Sequence, residues 1–181
     1  MTIGADPAQI AAGATAVLDV TVSQNGHPVA GLTVRLLERK RPRSGWKPAG
    51  TATTGADGKA AVDVADLTRN ASFRFAGPHH AVSAVVAVTV VPAVSLRLVP
   101  HPRINRDVLI VRSPLAQPGN LVVLQVQSGS GWVDVRARRL GLRRQAVFAV
   151  RAHRFSGQEL RVLLSATARH AASASGPVTA P

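Results

Sequence analysis

Residues 45–64 read GWKPAGTATTGADGKAAVDV, and residues 131–150 read GWVDVRARRLGLRRQAVFAV. The two stretches align without a gap, Trp46 on Trp132 and Ala60 on Ala146. Each reads as a Trp-bearing strand, a turn, and a return strand with small or apolar residues on one face. An internal repeat of this length sets the architecture. It predicts an all-β chain of two tandem β-sandwich domains, residues 1–92 and residues 93–181, with a boundary at Pro92.

The flanking sequence extends the pattern. Leu18, Val20 and Val22 alternate with Asp19 and Thr21, and Leu32, Val34 and Leu36 alternate with Thr33 and Arg35. That is the period of a half-buried strand. Gly55-Ala56-Asp57-Gly58 predicts a hairpin-type turn, since Asp-Gly tolerates the positive φ such turns need. Phe73 and Phe75 oppose Arg74, and Val82–Val90 alternates. In the second half, strands are expected at Val94–Val99, Val108–Val111, Leu121–Val126, Gln145–Arg151, Glu159–Leu164 and near Ala172–Thr179. His80, Ser83, Val88 and Thr89 match His170, Ser173, Val178 and Thr179 at one constant spacing. Short strands at turn-rich intervals without helices indicate a sandwich or barrel. With aromatic residues at 3%, the two Trp are expected to anchor the two cores.

The order PVAGLTVRLLER, Gly-Trp strand, TTGADGKAAVDV and aromatic-Arg-aromatic strand resembles the immunoglobulin-like repeats of bacterial, especially actinobacterial, secreted and cell-surface proteins. LVVLQVQSGSGWVDV, AVFAV and LRVLL resemble the same repeat in the second half. The resemblance implies immunoglobulin-like or fibronectin-type-III-like sandwiches used as spacers, stalks or adhesive modules. It bears on fold far more than on function. Leu140-Gly141-Leu142-Arg143-Arg144 stands where Asp57-Gly58 stood, so the Asp-Gly turn signal is missing from the second copy.

Net charge is +13, and residues 96–181 hold 13 basic and 3 acidic side chains. Such a surface attracts anionic polymers. Two basic clusters are the candidate anion-binding residues. One is Arg39, Lys40, Arg41 and Arg43, with Trp46 as a stacking platform. The other is Arg136, Arg138, Arg139, Arg143 and Arg144, read first as an edge kept soluble by charge.

His79-His80 lacks the further ligands a metal site needs. Asp57, Asp63 and Asp66 do not follow the ladder of a calcium loop. Ser83 near His80 has no Gly-x-Ser-x-Gly elbow around it. No catalytic, cofactor or metal residues are therefore assigned, and no enzyme is expected. No apolar run reaches the length of a membrane span. The absence of cysteine excludes a disulfide framework. No leader is seen in the first residues: either the protein stays inside, or a leader was removed, or the chain is a piece of a longer one. The resemblance implies a mature form or fragment of an extracellular or cell-surface protein.

The expected function is a non-catalytic structural or adhesive module whose partners are other domains or copies of the same protein. The alternatives are a binding module for an anionic polymer, a cell-wall glycan ahead of nucleic acid, and a polymerising subunit of a filament or virion.

Overall fold

The computed structural model describes residues 1–101, 105–151 and 154–181. The described residues are strands and turns, without a helix. They divide into two compact units, Met1–Val90 and Val91–Pro181.

In the first unit the strands are β1 (Thr2–Asp6), β2 (Gln9–Ala11), β3 (Ala16–Thr21), β4 (Ser23–Gln24), β5 (His27–Pro28), β6 (Thr33–Arg39), β7 (Lys47–Thr53), β8 (Lys59–Val64), β9 (Ala71–Ala76) and β10 (Val86–Val91). One sheet has the order β1-β3-β8 and the other β2-β10-β9-β6-β7. The second unit comprises β11 (Ser95–His101), β12 (Arg106–Arg112), β13 (Leu121–Ser128), β14 (Gly131–Arg139), β15 (Gln145–Arg151), β16 (Glu159–Leu164), β17 (Ser173–Ala174) and β18 (Val178–Thr179). Its sheets are β11-β12-β15 and β14-β13-β16-β17, with β18 also on β16.

Each unit is a sandwich with its own core, filled by the inward residues of alternating strands. Leu18, Val20, Val34, Leu36, Phe73, Phe75, Val88 and Val90 fill the first. Leu109, Val111, Val122, Leu124, Phe148, Leu160, Val162 and Leu164 fill the second. The chain is all-β, with two tandem immunoglobulin-like sandwiches.

The repeated stretch forms β7 and β8 in one unit and β14 and β15 in the other, but neither pair is a hairpin. β7 bonds to β6 and β8 to β3, in different sheets. β14 bonds to β13 and β15 to β12. The turn between them carries the chain from one sheet to the other. A period of two marks a buried face and does not say which sheet a strand joins, so the hairpin expectation fails on that point.

The turn itself repeats without the Asp-Gly signal. Gly55 N donates to Lys59 O and Gly58 N to Gly55 O; Gly141 N donates to Gln145 O and Arg144 N to Gly141 O. Arg144 takes the left-handed conformation, φ 56°, that Gly58 takes at 72°.

The late correspondence is corrected by two residues. Ser83 N and Oγ bond to Phe75 O and N, and Ser175 N and Oγ bond to Val162 O and N. Phe75 lies opposite Leu36, and Val162 opposite Leu124. Ser83 therefore corresponds to Ser175 rather than Ser173, and Val86 on Phe73 corresponds to Val178 on Leu160. His80 is exposed and His170 buried, so those two are not counterparts. A slip of two residues keeps every side chain on its own face, so alternation alone does not detect it.

Candidate functional site: the outward face of the larger sheets

The tryptophans do not anchor the cores. Trp46 and Trp132 are half-buried and lie on the outward faces of the larger sheets. A bulge explains this. In β7, Leu36 pairs with Gly50 and Leu37 with Pro48, leaving Ala49 as an extra residue. In β14, Leu124 pairs with Arg136 and Gln125 with Asp134, leaving Val135 extra at the corresponding place. One inserted residue reverses the face of everything beyond it. Counted without the bulge, Trp46 shares a face with Ala52, which packs on the core. The bulge turns it outward.

Arginines from the sheet meet the indoles there. Arg39 and Arg74 both lie over the Trp46 ring, their guanidinium carbons 4.6 and 4.4 Å from its centroid. Arg161 sits 4.1 Å from the centroid of Trp132. Arg74 lies beside Leu37 and Arg161 beside Gln125, so the Arg–Trp stack is built the same way in both units. Such a contact is worth about 0.5–2 kcal/mol, according to its exposure. Alternation shows that Arg74 and Arg161 point outward. Their partners come from other strands, which is why sequence reading did not pair them.

Around the two stacks the chemistry differs. In the second unit Arg161 Nε donates to Gln125 Oε1 at 2.9 Å, and Gln125 Nε2 donates to Asp134 Oδ1 at 2.7 Å. That network is internally satisfied and contains an acid. In the first unit Leu37 and Pro48 take the places of Gln125 and Asp134. Arg74 Nε is buried, with no hydrogen-bond partner among the described residues.

The first basic cluster follows directly from β6. Lys40, Arg41 and Arg43 lie in the β6–β7 loop, and Ser44 Oγ donates to Arg41 O at 2.9 Å while accepting from Arg41 N at 3.2 Å. Lys40 pairs with Glu38 at 3.2 Å. A depression of about 350 Å³ is lined by Lys40, Arg41, Lys47 and Arg69, with Glu38 at its wall. Two guanidinium groups already lie over the Trp46 ring, which leaves it poorly placed as a stacking platform.

The second cluster is dispersed. β14 is an edge strand. Arg136 and Arg138 lie opposite the core residues Leu124 and Val122, so they point inward at the open side of the sandwich. Arg136 Nη1 reaches Ala149 O on β15 at 3.5 Å. Arg139 Nη1 donates to Gly119 O at 2.8 Å, and Arg144 Nη1 donates to Pro114 O. Arg143 is exposed in the turn. Inward-pointing charge on an edge strand opposes pairing with a foreign strand.

A second depression of about 340 Å³ lies on the outward face of the first unit, lined by Arg35, Leu37, Arg74, His79, His80 and Val82 among others. His79 and His80 occupy the turn after β9, both with positive φ, 52° and 62°. Ser83, considered beside His80, spends its hydroxyl on Phe75 N and Ala84 O. Among the described residues no three of His, Cys, Asp and Glu gather as metal ligands.

No protein-family model matches the sequence, and no curated protein does. Solved structures do resemble it. A DUF4785 family protein from Legionella pneumophila superposes with a TM-score of 0.52 at 12% identity, over 98% of this chain and 55% of that one. The D0-D1 domain of intimin gives 0.42 at 14% identity, over 98% and 96%. The Yersinia pseudotuberculosis adhesin InvE gives 0.42 at 18% identity, over 98% and 58%. At these identities the likeness concerns the fold alone.

Proposed function

We propose that the chain is a non-catalytic adhesive or structural module of an extracellular bacterial protein, working beside other domains or copies of itself. The observation behind this reading is the repeated outward stack of Arg74 on Trp46 and Arg161 on Trp132. Both are carried on the outward faces of the larger sheets. An outward sheet face bearing aromatic and guanidinium groups suits contact with a large partner. A small substrate is held instead in a concave pocket that buries most of its surface. Resemblance to bacterial surface repeats and to adhesin domains supports the same reading by analogy of fold.

Brief protease treatment of intact source cells tests it. Peptides of this chain should appear in the supernatant while a cytoplasmic marker stays inside. Recovery of the chain only after lysis would overturn the reading.

A further inference from the structure

We infer that the first unit carries a binding recess for an acidic polysaccharide whose sugars bear carboxylates, formed by Arg35, Arg74, His79 and His80 over an apolar floor of Leu37 and Val82. This rests on the adhesive reading and names its ligand class.

The recess follows from strand register. Arg35 on β6 lies opposite Ala76 on β9, and Ala76 bridges to Val82. Leu37 lies opposite Arg74 in the neighbouring row. Residues directly opposite in antiparallel strands share a face, so both arginines emerge on the same outward surface. The turn closed by Gly77 N on Ala81 O and Ala81 N on Pro78 O then sets the two histidines at its rim. Left-handed backbone at two successive non-glycine residues is uncommon. Such conformations persist where the surrounding structure over-determines them, and they cluster at ligand-binding sites.

The chemistry of the lining selects the ligand. Among the residues lining the recess there is no acid. Arg35 is exposed at the recess, and arginine matches a carboxylate with two parallel bonds; Arg74 adds positive charge beside it, its Nε being buried. Val82 is 51% exposed and Leu37 half-buried, giving apolar contact for the C–H face of a sugar ring. Arg39 is four steps along β6 from Arg35, a span of about 13 Å. Beyond Arg39 lie Lys40, Arg41 and Lys47. A chain of sugars crossing the face from the recess meets further cations along its path. Nucleic acid fits less well, because base stacking needs an open aromatic face and Trp46 is taken by Arg39 and Arg74.

Placement outweighs total charge. The second unit holds more arginine, yet Arg136, Arg139 and Arg144 bond to backbone carbonyls and Arg161 to Gln125.

The test is affinity electrophoresis of the full chain through polygalacturonate, with dextran, a glycerol-phosphate polymer and a short DNA duplex as the other probes. The parent should be retarded by polygalacturonate and not by dextran. The triple variant Arg35→Gln, His79→Asn, His80→Asn should bind about tenfold more weakly, since it removes one arginine fork and both rim imidazoles. Asn tolerates the left-handed backbone, and an unchanged thermal melt checks folding. Arg97→Gln, Arg112→Gln, Arg143→Gln, three exposed positions of the second unit, removes more fixed charge and should change binding by less than about threefold, as screened charges outside a site do. An equal or larger loss in that second variant overturns the inference, as does an unretarded parent. Tighter binding of DNA or of the glycerol-phosphate polymer overturns the carboxylate assignment. Release of the chain from intact cells without polygalacturonate binding leaves the adhesive reading standing and removes only this ligand.

Discussion

Gly58 and Arg144 hold the same place in the two units, and each gives its carbonyl oxygen to the neighbouring strand. Val22 N donates to Gly58 O at 2.9 Å, and Ser113 N donates to Arg144 O at 3.2 Å. Their surroundings differ. A Cβ on Gly58 would lie 2.5 Å from Val22 O and 3.0 Å from the Pro28 ring. Gly58→Ala should therefore cost about 2–4 kcal/mol, combining positive-φ strain with a backbone clash. Arg144→Gly relieves left-handed strain but loosens the unfolded chain and loses the bond to Pro114, so it should stay within about 1 kcal/mol of the parent. Urea titration of both variants checks the contrast; equal losses would contradict it.

The cores and the outward stacks should separate energetically. Phe148 is 0% exposed, and Phe148→Ala should cost about 3–5 kcal/mol. Trp132→Ala removes a larger side chain from a half-buried site and should cost only about 1–2 kcal/mol. Chemical denaturation ranks the two. A larger loss at Trp132 would restore it to the core.

The bulge at Val135 is the device that turns Trp132 outward. Deleting Val135 in a Trp46→Phe background leaves one indole to follow. Its fluorescence should change as the Arg161 stack is lost, and stability should fall, because residues 131–134 exchange faces. An unchanged spectrum and melt would mean that the bulge moves elsewhere.

Replacing Arg136 and Arg138 together by Val should make β14 an attractive edge. The expected outcome is concentration-dependent association in light scattering, absent from the parent, because inward-pointing charge no longer blocks strand addition. A strictly monomeric variant would assign those arginines another task.

Separate cores predict separate folding. Residues 1–92 expressed alone should give a β-type circular dichroism spectrum and a cooperative melt. Failure of both halves to fold alone would make the two cores interdependent.

Strands that bury one face were legible because alternation records burial. β3, β9, β12, β15 and β16 each carry buried residues at every second position, and β6 does so at Val34 and Leu36. β1 was not legible: Thr2, Gly4 and Asp6 are exposed, so an edge strand that adds little to the core leaves no pattern. The tryptophans were misplaced because a bulge has no composition of its own, and each follows from pairing with the adjacent strand. Arg39 lies beside its stack and was named from charge density alone. Arg35, Arg74, His79 and His80 come together through register across β6, β9 and the following turn, which a linear reading does not contain.

Where the two units differ in length also matters. The stretch from Trp46 to Val64 aligns with 132–150 without a gap, while Gly129 and Ser130 stand where the first unit carries its longer basic loop. Gly129 and Ser130 are exposed, and a Cβ on Gly129 would meet nothing within 4 Å. This makes the β13–β14 turn a graft point: transplanting Arg39–Ser44 there would give the second sandwich the first one's basic loop beside its own Trp132, a way of rebuilding one module's surface on its sister's frame.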